Sequence, residues 1–246
     1  MTDGRRPRLD QALVEAGIAP TRTRAQALVA AGVVTVDGAP AARPGARVAP
    51  GARLAVTGDP LPWVSRGALK LLHALDAFGL SPAGAVALDL GASTGGFTEV
   101  LLARGASEVW AVDVGHGQLA PALRADPRVH AIEGQNVRDL RPGDVPAPGW
   151  ITADLSFISL AKAIGPALAL AGPGATLVAL VKPQFEVGPA HVGRGGIVRD
   201  PAAAEAAAAA VRDFVAGAGW TVLGEIPSPI LGGDGNAERL LAARRD

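Results

Sequence analysis

The chain has 246 residues, 23 basic and 23 acidic, and no cysteine. That length suits one large domain or a small one beside a medium one, and the lack of cysteine excludes disulfides while permitting cytoplasmic residence. Charge is uneven along the chain: residues 1–57 hold eight arginines against four acids, and the remainder fifteen basic residues against nineteen acids, so a part suited to a polyanion precedes a mildly acidic body.

Met1 to Arg8 is polar with no apolar run behind it, so no signal peptide is expected. Arg8–Val14 begins an amphipathic helix that stops at Gly17. Thr21 is placed to cap a second helix, Arg22 to Ala31, closed by Gly32. Val33–Val36 reads as a strand, Asp37-Gly38 as a hairpin turn and Arg53–Val56 as a last strand. Arg22 and Arg24 fall at the turn between the helices, where they are suited to gripping phosphates. Asp59 to Val64, with two prolines, reads as a stiff linker in which Trp63 suits a domain interface or a base.

Ser65 to Phe78 reads as a helix with Lys70 between two leucines, either on its solvated face or, because a binding strand follows, against the site. Ala85–Leu90 is a short apolar run bounded by glycines, a buried strand, and Phe97–Leu102 has helical spacing. Strand, glycine turn and helix present free backbone N–H groups to a ligand. Position 93 is Ser, so the turn lacks the G-x-G-x-x-G dinucleotide pattern. Asp89 suits an ammonium or hydroxyl better than a pyrophosphate. The expected ligand is therefore S-adenosylmethionine, held by Asp89, Gly91, Ser93, Thr94, Gly95, Gly96 and Phe97, with a nicotinamide or nucleotide as the competing reading. Asp113 ends the next strand, Glu108–Asp113, about 20 residues on, and is the expected ribose ligand. Asn136 or Asp139, after the strand Val129–Glu133, is suited to an adenine edge.

Trp150–Asp154 and Ala175–Lys182 are the fourth and fifth strands. Ala163–Val181 carries no charge, yet its Gly-Pro-Gly turn divides it into helix and strand rather than a membrane span. Gly188 to Asp200 suits a lid, an RNA-contacting loop or a plain disordered loop; a helix, Pro201–Ala216, and a sixth strand, Trp220–Ile226, follow. Glu238–Arg244 reads as strand or helix. Alternating strands and helices imply a parallel sheet covered on both faces, with ligands at the carboxyl ends of its strands. Only three lysines, Lys70, Lys162 and Lys182, stand against twenty arginines. If the terminal segment is an antiparallel strand, Lys70, Asp154, Lys182 and Glu238 converge on that edge.

Arg8-Leu9-Asp10, Thr21-Arg22-Thr23-Arg24-Ala25 and Leu28-Val29-x-x-Gly32-x-Val34-x-Val36-Asp37-Gly38 resemble the RNA-binding module named after the fourth small-subunit ribosomal protein. The resemblance implies RNA contact through Arg8, Arg22 and Arg24, mainly by phosphates and shape. The set Lys70, Asp154, Lys182 and Glu238 resembles the tetrad of the FtsJ-like ribose 2′-O-methyltransferases. With Arg66-Gly67-Ala68-x-Lys70-Leu71, Asp113-Val114-Gly115-x-Gly117-Gln118-Leu119, Asp154–Ser159, Lys182–Glu186 and Gly235-Asn236-x-Glu238, the whole chain resembles the TlyA family, which once carried the name haemolysin. His116 stands where an aromatic is expected in that family.

The resemblance implies an α/β fold, a Rossmann-like class I methyltransferase sheet with a small α+β N-terminal RNA-binding domain. It divides the chain into residues 1–58, a linker 59–64 and a catalytic domain 65–246. It implies methylation of ribosomal RNA cytidines at the ribose 2′-hydroxyl, with ribosomal RNA or ribosomal subunits as partners, no metal, no membrane and a cytoplasmic setting. A base N-methyltransferase is disfavoured because Leu155-Ser156 replaces the expected prolines. A membrane-acting haemolysin and a non-enzymatic RNA-binding or ribosome-assembly factor also compete with the methyltransferase reading.

Overall fold

A computed structural model describes residues 6–19, 21–41, 43–58 and 62–246. The N-terminal stretch expected to lack a signal peptide begins with Met1–Arg5, which lie outside the described residues, as do residues 59–61 of the expected linker. The chain divides into two compact units, Met1–Pro62 and Trp63–Asp246. Trp63 and Val64, read from sequence as linker, pack on the core of the second unit, where Val64 N donates to Glu99 Oε2 at 2.7 Å.

The first unit holds helices α1 (Leu9–Glu15) and α2 (Arg22–Ala30) and strands β1 (Val34–Val36), β2 (Ala39–Pro40) and β3 (Leu54–Val56) in the order β2-β1-β3. Thr21 Oγ1 accepts from Arg24 N at 3.2 Å and caps α2. Asp37 and Gly38 both have positive φ, 51° and 82°, the conformation of a two-residue hairpin turn whose twist matches the strands. Leu9, Leu13, Leu28 and Val34 form the buried core.

The second unit runs α3 (Gly67–Phe78), β4 (Val86–Leu90), α4 (Gly96–Ala103), β5 (Glu108–Asp113), α5 (Pro121–Arg124), β6 (Val129–Glu133), β7 (Trp150–Ala153), α6 (Leu160–Ala163), α7 (Gly165–Leu170), β8 (Thr176–Val181), α8 (Pro183–Glu186), α9 (Pro201–Gly217), β9 (Trp220–Pro227) and β10 (Arg239–Arg245). Its seven strands are ordered β6-β5-β4-β7-β8-β10-β9. Strands β4 to β8 are parallel, and β10 lies antiparallel between β8 and β9.

Side chains alternate across a strand, so the sheet feeds two cores. Leu88, Leu90, Ile151, Leu177 and Val181 meet α6, α7 and α9 on one face. Ala87, Val109, Trp150, Val178 and Leu180 meet Leu71, Leu75 and Leu101 of α3 and α4 on the other. Each fully buried leucine contributes about 1.5–3 kcal/mol. The order in which the chain lays down its strands reverses between β4 and β7, which opens a crevice at their carboxyl ends.

Candidate active site

Residues after β4 and β7 build that crevice. Gly91 has φ +82°, and a Cβ there would lie 2.6 Å from the carbonyl oxygen of Asp154. Only glycine lets the two loops approach so closely. Ser93 has φ +48° and is held by two bonds: its N–H donates to Asp113 Oδ2 at 2.8 Å, and its Oγ bonds Gln118 Oε1 at 3.2 Å. A non-glycine residue keeps the left-handed conformation where such contacts impose it.

The crevice is a groove with two arms of about 280 and 520 Å³, which share Gly91, Ser93 and Asp154. The first arm is lined by Gly67, Lys70, Thr94, Gly96 and Phe97, with Ile230, Leu231 and Gly233 as its outer wall. Arg66 Nη2 donates to the carbonyl of Leu231 at 3.2 Å and ties that wall to the start of α3. Asp113, Val114, Gln118, Asn136 and Arg138 line the second arm, opposite Leu155, Ser156 and Phe157.

Two ion pairs stand at the groove. Lys70 Nζ and Glu238 Oε2 are 2.5 Å apart, with side chains 10% and 3% exposed. Lys182 Nζ lies 2.6 Å from Asp154 Oδ1 and 2.9 Å from Ser156 Oγ. Lys70 and Asp154 line the same arm. Beside α3, a Cβ on Gly67 would lie 3.7 Å from Asp154 Oδ2. Lys70 therefore stands on the site face of its helix, not the solvated one. Glu238 reaches this edge because β10 starts there, antiparallel to β8, with Arg239 opposite Val181. The segment left open as strand or helix is a strand.

Not every residue expected at the cofactor lines the groove. Asp89 is fully buried: strand alternation turns it to the same face as Ala87, under α4, where Thr98 Oγ1 donates to it at 2.6 Å and Thr152 Oγ1 at 2.9 Å. Burial pushes its carboxyl up to about 6, against the two hydroxyls and with a small addition from the Asp154 charge. Asp89 therefore ties β4 to α4 and β7 and lines neither arm of the groove. Gly95 also faces away, since a Cβ there would strike Leu123 at 2.3 Å and Leu119 at 2.8 Å. Its φ of +98° starts α4. Of the two adenine candidates, Asn136 lines the second arm and caps the turn at residues 137–139 by accepting from Arg138 N, while Asp139 is exposed outside the groove. Asp113 lines the second arm with both oxygens engaged, by the N–H groups of Ser93 and Gly115. The walls at residues 65–67 and 230–233 escaped sequence reading as ligand-lining segments, since neither carries a periodicity or a charged pattern.

In the first unit, Arg8 and Arg22 both pair with Asp10, which is fully buried. Arg8 Nε lies 3.1 Å from Oδ1, Arg22 Nη2 3.1 Å from Oδ2, and Gln26 Nε2 donates to Oδ2 at 2.9 Å. Arg8 first, then Gln26 and Arg22, hold this carboxyl well below the usual aspartate range. The arginines expected to meet RNA thus also anchor α1 to α2. Arg24 lies on the first turn of α2, half-buried.

A mostly parallel sheet, a glycine turn and a polar groove at its switch point define a methyltransferase-type α/β domain, here preceded by a small α+β module. The profile of the FtsJ-like methyltransferase family matches residues 63–245, and that of the S4 domain matches residues 7–54. The 16S/23S rRNA (cytidine-2′-O)-methyltransferase TlyA of Mycobacterium tuberculosis is 48% identical over 98% of this chain and 90% of its own length. Hemolysin A of Brachyspira hyodysenteriae is 36% identical over 95% of this chain and 98% of its own. A solved hemolysin-named structure from Streptococcus thermophilus superposes with a TM-score of 0.77 at 40% identity, covering 99% of this chain and 90% of that one. The chain belongs to the TlyA family of FtsJ-like methyltransferases. Among the described residues no helix is long and apolar enough to cross a membrane.

Proposed function

We propose that this chain transfers the methyl group of S-adenosylmethionine to the ribose 2′-hydroxyl of a cytidine in ribosomal RNA. The observation that carries the reading is the pair of ion pairs, Lys70–Glu238 and Lys182–Asp154, at one groove. The groove fits the donor: its shared floor at Gly91 is bare of side chain, and Asp113 offers acceptor oxygens in the second arm. Asp113 and Asn136 would hold the nucleoside portion, and Ser93, Thr94 and Gly96 the amino-acid portion. When bound, the donor supplies an electrophilic methyl on a sulfonium.

The remaining chemistry belongs to the protein. A ribose hydroxyl is a weak nucleophile while protonated, so alignment and charge stabilisation supply the rate. Lys182, its ammonium paired with Asp154, faces the oxygen as negative charge develops, and the hydroxyl proton passes to solvent water as the methyl leaves the sulfonium and bonds to that oxygen. Glu238 fixes Lys70, which lines the arm that Asp154 also borders. Arg8, Arg22 and Arg24 of the first unit contact the RNA backbone, and a ribosomal substrate puts the work of the protein in the cytoplasm.

The test is transfer of labelled methyl to purified ribosomal subunits, naked ribosomal RNA and transfer RNA, followed by digestion to nucleosides. Label on the 2′-oxygen of cytidine with wild type, absent with Lys182→Ala, is the expected result. Label on a base would make the chain a base N-methyltransferase. Undiminished transfer by the variant would remove Lys182 from the reaction.

A further inference from the structure

The turn after β7 carries a polar group that the reaction above leaves unused. Ser156 is exposed, lies two residues beyond Asp154 and lines the second arm of the groove. Lys182 Nζ donates to its Oγ at 2.9 Å while lying 2.6 Å from Asp154 Oδ1. An ammonium has three N–H bonds. One is directed at Ser156, whereas Asp154 Oδ1 lies within ion-pair distance but out of hydrogen-bond alignment, so the serine hydroxyl is the directional contact on the ammonium. A lysine held by one carboxylate alone would swing about that contact on its flexible stem. Lys182 lines neither arm itself and its side chain is 10% exposed, so its aim decides what it reaches.

Two further features hold the serine in place. Phe157, the next residue, has φ +64°, a conformation that a side-chain-bearing residue keeps only where its surroundings demand it. Leu155, the preceding residue, is buried against Gly91, whose missing Cβ would lie 3.1 Å from Leu155 Cδ2. The turn is wedged on one side and strained on the other, and Ser156 between them meets Lys182.

We infer that Ser156 is a positioning residue for methyl transfer, its hydroxyl aiming the Lys182 ammonium at the ribose oxygen. The inference rests on the role assigned to Lys182 above. Ser156 fixes geometry within the site and contributes to the affinity of neither RNA nor donor.

The experiment compares Ser156→Ala, Ser156→Thr and Ser156→Cys with wild type on ribosomal RNA. The alanine variant is expected to lose about tenfold or more in kcat while the KM for RNA and the Kd for the donor stay within about twofold. Threonine, which keeps the hydroxyl, restores kcat, and cysteine, a poor acceptor of similar size, behaves as alanine does. Wild-type kcat in the alanine variant would overturn the inference. So would a loss confined to the KM for RNA, which would make the hydroxyl a substrate contact, or failure of threonine to restore the rate. A wild-type protein that labels no ribose would instead overturn the proposed function, which separates the two failures.

Discussion

Asp89 is buried beneath the groove, bonded to two threonine hydroxyls. Its carboxyl is pushed up to about 6 in the folded protein by burial, whereas in the unfolded chain it titrates as an ordinary aspartate near 4. Between those values the native state holds a proton that the unfolded state has released, so this residue's contribution to stability falls as pH rises from about 4 to about 6. Above that window the ionised carboxylate costs about 3 kcal/mol, with the Thr98 and Thr152 bonds already counted. Wild type should therefore gain stability on acidification from pH 7 to pH 5 relative to Asp89→Asn, which has no proton to gain. Calorimetric melts at pH 5, 6 and 7 test this, and parallel curves for the two proteins would refute it. The Lys70–Glu238 pair separates stability from chemistry. Glu238→Ala strands a buried ammonium and should cost about 3–5 kcal/mol in urea unfolding. The double variant Lys70→Met with Glu238→Leu should recover most of that stability and none of the methyl transfer.

The strand–turn–helix element from β4 to α4 was legible in sequence because glycines bound a short apolar run and a helical period follows. What could not be read was direction. Asp89, one residue before the strand end, points under α4, while Leu90 faces the other core. Gly91→Ala tests the closeness of the loops: its methyl would meet the Asp154 carbonyl in a backbone conformation that already disfavours alanine. The variant should fold with a loss of about 1–3 kcal/mol and bind the donor at least about tenfold more weakly by titration calorimetry. Wild-type affinity would show that the Gly91–Asp154 approach does not shape the groove. The last strand was ambiguous for a different reason. Leu240 to Ala243 is apolar throughout and shows neither period 2 nor 3.6. Its state is decided by β8 and β9 on either side, which no local pattern records. The groove walls at Arg66 and Leu231 belong to the same class of feature, set by a bond across 165 residues.

At the scale of the molecule, the α/β class and the approach of Asp154 and Lys182 followed from strands that each end in a polar residue on one edge. The pairing of Arg8 and Arg22 with Asp10 did not, since Asp10 gives no sign in sequence that it is buried beneath them. The division of labour between the units has its own test. A chain of residues 63–246 is expected to keep the donor affinity of the full protein and to lose RNA affinity. Its RNA binding should also depend less steeply on salt, because fewer phosphates are neutralised. Loss of donor binding would show that the second unit depends on the first.

The place of β10 between β8 and β9 has a kinetic consequence. Among the described residues β9 pairs in the sheet with β10 alone, and Lys70 meets Glu238 across 168 residues of chain. Contacts so distant in sequence form late, after shorter loops have closed. Regain of activity on refolding should then follow the slowest phase, behind the far-ultraviolet signal of the helices. A chain caught partway through folding would already hold the glycine turn and still lack Glu238, so RNA would be marked by finished molecules alone.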